Sequence, residues 1–338
     1  MNTPSNYGLP YKGSKSKLAG RIVGIFPRAT HFYDLFSGGC AISHCALLRN
    51  KFEHIHINDI NPMMPEAFIK ALNGDFENET RWISRDDFFK LKDTDPYVAI
   101  CFSFGNDLKT YCYGPDVEPI KKALHYALFF DTFEFSDQYI GVDLRAIRNC
   151  NKMEDKYLLA KRIIKNAFSY NSAPPYARKL SKTQTHTGYK VTNDCEVFGA
   201  RCSKKKLYTT SILPFFKKDS INWGGQYGKS NLTWSIGDYS NVDINEDSVI
   251  YADIPYLNTN KYVGKGENFD YERFYDWCLN QKQPLFISSY EMPEKDFKIV
   301  AEFARNDSMS AKSVKLVAER LFIPRTQEIR GNIQLSLF

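Results

Sequence analysis

The sequence predicts an α/β protein whose core is interrupted by a long basic insertion. Three observations carry that prediction. A strand, a glycine turn, a helix and a second strand follow one another between residues 31 and 59. Short aliphatic runs with strand character return after residue 230. Between them, residues 151–230 hold 16 Lys/Arg against 5 Asp/Glu, although the whole chain carries a net charge of only +6.

The elements follow in order. Lys15–Phe26 has Leu18, Ile22, Ile25 and Phe26 at helical spacing and stops at Pro27. His31–Phe36 reads as a strand, Ser37-Gly38-Gly39 as a tight turn and Ala41–Arg49 as a helix. His54–Asp59 alternates apolar and polar residues and ends on an acid. Strand, turn, helix and strand in this order imply a right-handed crossover. Met63–Leu72 reads as helical, Tyr97–Phe104 as a buried strand, and Tyr157–Phe168 as a basic amphipathic helix. Residues 169–228 are rich in Ser, Thr, Asn, Gly, Pro and Lys, the composition of loops presented to a partner. Strands are expected again at Leu232–Ile236, Ser248–Ala252, Pro284–Ser288 and Ser313–Phe322, with a helix at Phe269–Asn280.

With 338 residues, 43% hydrophobic and 25% charged, the chain is long enough for a sizeable core and reads as soluble. No apolar run approaches the roughly 20 residues of a membrane span, and MNTPSNYGLP lacks an apolar signal core, so the expected location is the cytoplasm. Eight cysteines are scattered without a CxxC pair or zinc spacing, which favours reduced thiols and no metal. The basic segment also holds many aromatic rings, among them Tyr170, Tyr176, Phe215, Phe216 and Trp223. Cations mixed with stacking rings suit a polyanion such as nucleic acid.

Two features of the first half bear on chemistry. The turn Asp34-Leu-Phe-Ser-Gly-Gly39 places small residues where a ligand can approach the backbone, ahead of a helix start with free N–H groups. Asp59 closes the next strand, where a carboxylate can accept both hydroxyls of a ribose. Together with Tyr11-Lys-Gly-Ser-Lys15 before a helix, Asn58-Asp59, and Asp253-Ile-Pro-Tyr256 after a late strand, this ordered set resembles the Dam-like adenine-N6 DNA methyltransferases over about residues 10–325.

The resemblance implies a Rossmann-like methyltransferase sheet with helices on both faces, plus an inserted basic target-recognition region. It implies a discontinuous catalytic domain of residues 1–64 and 230–330, an insertion of residues 65–229, and a tail of residues 331–338. The implied cofactor is S-adenosylmethionine, with Tyr11 and Lys15 near its methionine end, Phe36, Ser37 and Gly38 under it, and Asp34 in the same turn. Asp59 would meet the ribose, Asp238 the adenine amino group, and Tyr239 would pack nearby. Cys40 departs from the pattern where relatives commonly have glycine, and Ile254 where the commoner motif has proline.

The late turn has a physical rationale within that resemblance. An exocyclic adenine amine is a poor nucleophile because its lone pair is delocalised into the ring. Asp253 and the main-chain carbonyl of Ile254 would each accept one N–H bond and aim the lone pair at the methyl group. Pro255 would keep the turn rigid, and Tyr256 would offer a face to an extruded base. The polar segment with Tyr262 and Gly264 would order over DNA, Phe286–Met292 would face the flipped base, and Lys312–Arg320 would form a basic hairpin.

Phe168–Ser172 is similar to the family's aromatic-Asn segment. Arg178, Lys179, Lys182, Lys204, Lys205 and Lys206 are the candidate phosphate contacts to double-stranded DNA. Gln334, Leu335, Ser336, Leu337 and Phe338 are similar to the peptide with which bacterial polymerases and repair proteins dock on the sliding clamp. A monomer is expected. Alternatives are a cytosine-N4 DNA methyltransferase, an enzyme acting on RNA or a protein amide, and a DNA-binding module that retains the fold without catalysis. Cytosine-C5 chemistry lacks its Pro-Cys nucleophile.

Overall fold

Runs rich in Phe, Tyr, Ile and Val alternate their side chains across a pleated surface, and seven of them assemble into one sheet. The structure, a computed structural model, describes residues 7–76, 78–115, 117–167, 230–256, 269–306 and 316–328. These fall into two units, one of residues 7–76 with 230–328, the other of residues 78–167.

The first unit holds the sheet. Its strands are β1 (His31–Asp34), β2 (His54–Asp59), β3 (Asn231–Ile236), β4 (Ser248–Asp253), β5 (Leu285–Ser289), β6 (Phe297–Asn306) and β7 (Leu316–Pro324). The spatial order is β3-β2-β1-β4-β5-β7-β6. The first five are parallel to one another, and β7 runs antiparallel to both β5 and β6. Such a sheet, wound outward in both directions from the β1–β4 junction, is the Rossmann-like α/β arrangement of methyltransferases.

Helix α1 (Ala19–Ile25) precedes β1, α2 (Ala41–Leu48) joins β1 to β2, and α3 (Met63–Asn73) follows β2. Phe26, just after α1, packs its ring on Phe32, Tyr251 and Phe286, which all point to one side of the sheet. The residues between them in sequence, Tyr33, Ile250, Ala252, Leu285 and Ile287, point to the other side. There they bury against Phe274, Tyr275 and Cys278 of a later helix, Tyr271–Leu279. Burying both faces in this way accounts for the near-continuous apolar character of β4 and β5. α3 ends in a left-handed Gly74 (φ 84°) whose N–H returns to Ala71 O, as glycine permits at a helix end.

The second unit is helical: α4 (Arg85–Leu91), α5 (Pro96–Cys101), α6 (Glu118–Phe130), α7 (Glu134–Tyr139) and α8 (Met153–Ala167), leaving Tyr271–Leu279 as α9. Ile120, Leu124, Leu128, Phe133, Ile147, Tyr157 and Ile164 form its core.

Two expectations are corrected. The Tyr97–Phe104 run, read as a strand, is α5 followed by a single 3-10 turn at Phe104–Asn106. Asp95 accepts the N–H groups of Tyr97 and Val98, and Pro96 occupies the first helical position, so capping outweighs the strand-like apolar content. β6 was not anticipated, because charges in Phe297–Asn306 blur its alternation. The strand expected from Ser313 begins, within the described residues, at Leu316. Among the described residues no helix is long and apolar enough to cross a membrane.

Candidate active site

Parallel sheets bind ligands at the carboxyl ends of their strands, beside the point where strand order reverses. Here that point lies between β1 and β4. The strands on either side of it end in acids: Asp34 on β1, Asp59 on the neighbouring β2, and Asp253 on β4. All three line one open cleft. Tyr11, Lys15, Phe36, Ser37, Gly38 and Pro255 share that lining.

The glycine bend is fixed from two directions. The Gly38 N–H donates to Asp59 Oδ2 at 2.7 Å, and Asn61 N–H donates to Oδ1 at 2.8 Å, so the strand-end acid holds the turn. The segment before Lys15 is stitched to the start of α2. Leu9 N–H donates to Gly39 O at 2.6 Å, and Gly8 N–H donates to Nδ1 of the buried His44 at 2.9 Å. Burial lowers His44 to about 4, which leaves its ring neutral and able to accept. A Cβ on Gly39 would sit 2.6 Å from Leu9 O, and one on Gly8, at φ 68°, 2.2 Å from Gly39 O, so this close approach demands glycine.

Cys40 adopts φ 55°, ψ 32° immediately before α2. A left-handed residue carrying a side chain costs about 1 kcal/mol relative to glycine. That conformation gives the glycine expected here its physical basis, and the fully buried Cys40 side chain keeps its packing despite the cost.

Lys15 reaches across 238 residues of sequence to Asp253, donating to Oδ1 at 2.7 Å and Oδ2 at 2.8 Å. Its side chain is 3% exposed, while that of Asp253 keeps 21%. Burial pushes the Asp253 carboxyl upward, Lys15 opposes it, and Glu319 adds to the rise. Asp34 is 2% exposed and accepts from Ser43 Oγ at 2.6 Å. Burial raises it to about 7 against that hydrogen bond, with Asp253 and Asp59 pushing in the same direction. Burial also raises Asp59.

Residues 11–104 match the family described as D12 class N6 adenine-specific DNA methyltransferase. Over that span the chain is similar to the Dam-like DNA adenine methyltransferases. No curated protein matches it. The matched span contains the Tyr11–Lys15 segment, the glycine bend and Asp59, and it ends before β3, so the Asp253 turn lies beyond it.

Not every residue named from the sequence meets in this cleft. Ile254 is buried. Tyr256 is 7% exposed; its ring lies against Tyr290, with centroids 4.3 Å apart, and Lys15 Nζ sits 4.9 Å from its centroid. Tyr290 is only partly buried. Asp238 stands outside the cleft lining. Its oxygens accept from Arg273, at 3.1 Å each, and from Ser240 N and Oγ. Burial would raise Asp238, but these bonds together lower it. Tyr239 stacks on Phe36, with centroids 5.4 Å apart, and so touches the site through that ring.

Phe168–Ser172, the six basic candidates from Arg178 to Lys206, Tyr262 and Gly264, and Gln334–Phe338 lie outside the described residues. The most prominent residue that sequence reasoning missed is Glu319 on β7. It is fully buried and lies 3.6 Å from Lys15 Nζ. A lone glutamate in a basic stretch reads as a solvated surface residue, and no sequence signal marks it otherwise.

The residues present fit a cationic sulfonium cofactor. Asp34, Asp59 and Asp253 face the cleft, and of its lysines Lys15 is already engaged by Asp253. The glycines bring backbone to the cleft wall. Among the described residues Ser37 Oγ is buried without a hydrogen-bond partner, a hydroxyl left over for a ligand.

Proposed function

We propose that this methyltransferase uses S-adenosylmethionine to methylate the N6 amine of an adenine rotated out of duplex DNA. The observation carrying this reading is that the Asp253 carboxylate shares one cleft with the glycine bend and Asp59. When bound, the cofactor supplies a methyl group on positively charged sulfur.

Gly38, Ser37 and Phe36 would form the floor under it, Tyr11 would close one side, and Asp59 would meet the ribose while still holding Gly38 N–H. Asp34 and Asp253 would oppose the positive charge. Asp253 and the Ile254 carbonyl would accept the two amine hydrogens, hold the nitrogen in line and draw off the proton it must lose. The Tyr271 hydroxyl donates to Pro255 O at 2.9 Å and so helps fix the turn that carries this pair. Asp238 would release an oxygen from Arg273 or Ser240 to meet the cofactor adenine, with Tyr239 packed behind Phe36. Arg178, Lys179, Lys182, Lys204, Lys205 and Lys206 would position the duplex through phosphates, a sequence-independent and salt-sensitive contribution.

Incubating the protein with methyl-labelled S-adenosylmethionine and plasmid DNA, followed by nucleoside analysis, tests the reading. Label is expected in N6-methyladenine. Label in cytosine, or DNA binding with no label, would overturn it.

Gln334–Phe338 is proposed as a clamp-docking peptide in which Leu335, Leu337 and Phe338 are the buried anchors and Gln334 sets register. Deleting residues 334–338 is expected to abolish binding to purified sliding clamp while leaving methylation of short duplexes intact. Unchanged clamp binding would remove the idea.

A further inference from the structure

The strand behind the Asp253 turn carries a carboxylate that the reaction as described does not use. Glu319 sits on β7, is 0% exposed, and its Oε1 accepts a short hydrogen bond from the Tyr256 hydroxyl. The same oxygen lies 3.6 Å from Lys15 Nζ. Among the described residues Glu319 Oε2 is buried with no hydrogen-bond partner. Tyr256 OH also lies 3.2 Å from Asp253 Oδ1, so one hydroxyl and one ammonium each stand between two carboxylates.

A buried, incompletely bonded carboxylate is costly, and a fold indifferent to it would be better served by an apolar residue. Its charge has a use here. Were Asp253 the only acid beside Lys15, the ammonium would be committed to Asp253 alone and would take the acceptor strength that the substrate amine needs. A second acid draws the ammonium partly back.

We propose that Glu319 is a positioning residue for methyl transfer: it shares Lys15 with Asp253 and anchors Tyr256, so that the Asp253 carboxylate stays oriented and available to the adenine amine. This rests on the role proposed for Asp253. The charged and titratable groups facing the pair are Lys15 from the amino-terminal segment, Tyr256 from the turn, Tyr251 from β4 and Asp34 from β1. Glu319 itself does not line the cleft, so it would act through its neighbours.

The test is Glu319→Gln, which keeps the shape and a carbonyl acceptor but removes the charge. Turnover should fall by about tenfold to a hundredfold, with S-adenosylmethionine affinity and melting temperature close to wild type. The acid limb of the turnover–pH profile should move to lower pH, because Asp253 loses a negative neighbour and gains the whole of Lys15. Glu319→Asp, which retains the charge on a shorter arm, should keep the limb in place while losing part of the turnover. It also serves if the Gln variant does not fold.

Wild-type turnover with an unmoved limb in Glu319→Gln, or full turnover in Glu319→Asp, overturns the inference. So does a loss of activity that simply follows a loss of donor binding and melting temperature, since Glu319 would then serve the fold alone. Asp253→Ala in the same assay separates the two readings. If it remains active, the proposed role of Asp253 falls; if it is dead while Glu319→Gln is normal, only the role of Glu319 falls.

Discussion

Asp253→Ala is expected to reduce methyl transfer by about a thousandfold or more while changing S-adenosylmethionine affinity only a few-fold. The asymmetry follows from position. Asp253 reaches the cleft from the end of β4 with part of its side chain open to it, whereas the glycine bend and Asp59 stand on β1, β2 and the turn between β1 and α2. Removing it deprives the amine of its charged acceptor without disturbing the bend. The fold should survive, because Lys15 keeps Glu319 at 3.6 Å and Gly13 O at 3.5 Å and is not left as an isolated buried cation. Single-turnover rates with donor titration check both halves. A variant within tenfold of wild-type turnover would remove Asp253 from the chemistry.

The second large effect concerns Asp34, which carries a proton in the folded protein up to about pH 7. An unfolded aspartate gives its proton up near pH 3.9, so between these values the folded state binds more protons and loses stability as pH rises. A gap of about three units corresponds to at most about 4 kcal/mol, fully expressed above pH 7 and absent below about pH 4. Asp34→Asn, which can still accept from Ser43 Oγ, should therefore melt well above wild type at pH 8, with the gap closing toward pH 4.5. The same substitution should weaken binding of the cationic donor, since the charge lost is one that would oppose the sulfonium. In wild type, donor binding should release a proton and tighten as pH rises through 7. Calorimetry in buffers of different ionisation enthalpy, with melting curves at both pH values, reads this out. An equal melting gap at pH 8 and pH 4.5 would show that Asp34 carries no such penalty.

The core of the fold was legible because its strands are buried on both faces. Val249, Ile250, Tyr251 and Ala252, and likewise Leu285, Phe286 and Ile287, cannot alternate with polar residues, and such runs stand out. The acids that close β1, β2 and β4 were legible for the same reason, as breaks in those runs. α5 was misread although its signal was present: Asp95 followed by Pro96 marks a helix start, and the apolar run after it is as compatible with a buried helix as with a strand. β6 was obscured by Lys298, Glu302 and Arg305 in an edge strand, where charge is tolerated.

In the site, the glycine bend and Asp253 could be read from local spacing, whereas the partners of Lys15 could not. Sequence resemblance set Lys15 beside the cofactor's methionine end; the fold pairs it with Asp253 and Glu319. Nothing local in Lys15, Asp253 or Glu319 announces that three distant segments converge. Asp238, named from the sequence beside the cofactor adenine, stands outside the cleft lining, and Arg273, which engages it from 35 residues away, was invisible.

The 238-residue span between Lys15 and Asp253 has a consequence for biosynthesis. At roughly 5–20 residues per second, a ribosome needs about 12–48 seconds to travel from one to the other. Throughout that interval the glycine bend and Asp59 already exist as polypeptide, but the acid that would engage a base does not. A chain released before Asp253 is made lacks the carboxylate proposed to engage the substrate amine, whatever its earlier segments can bind.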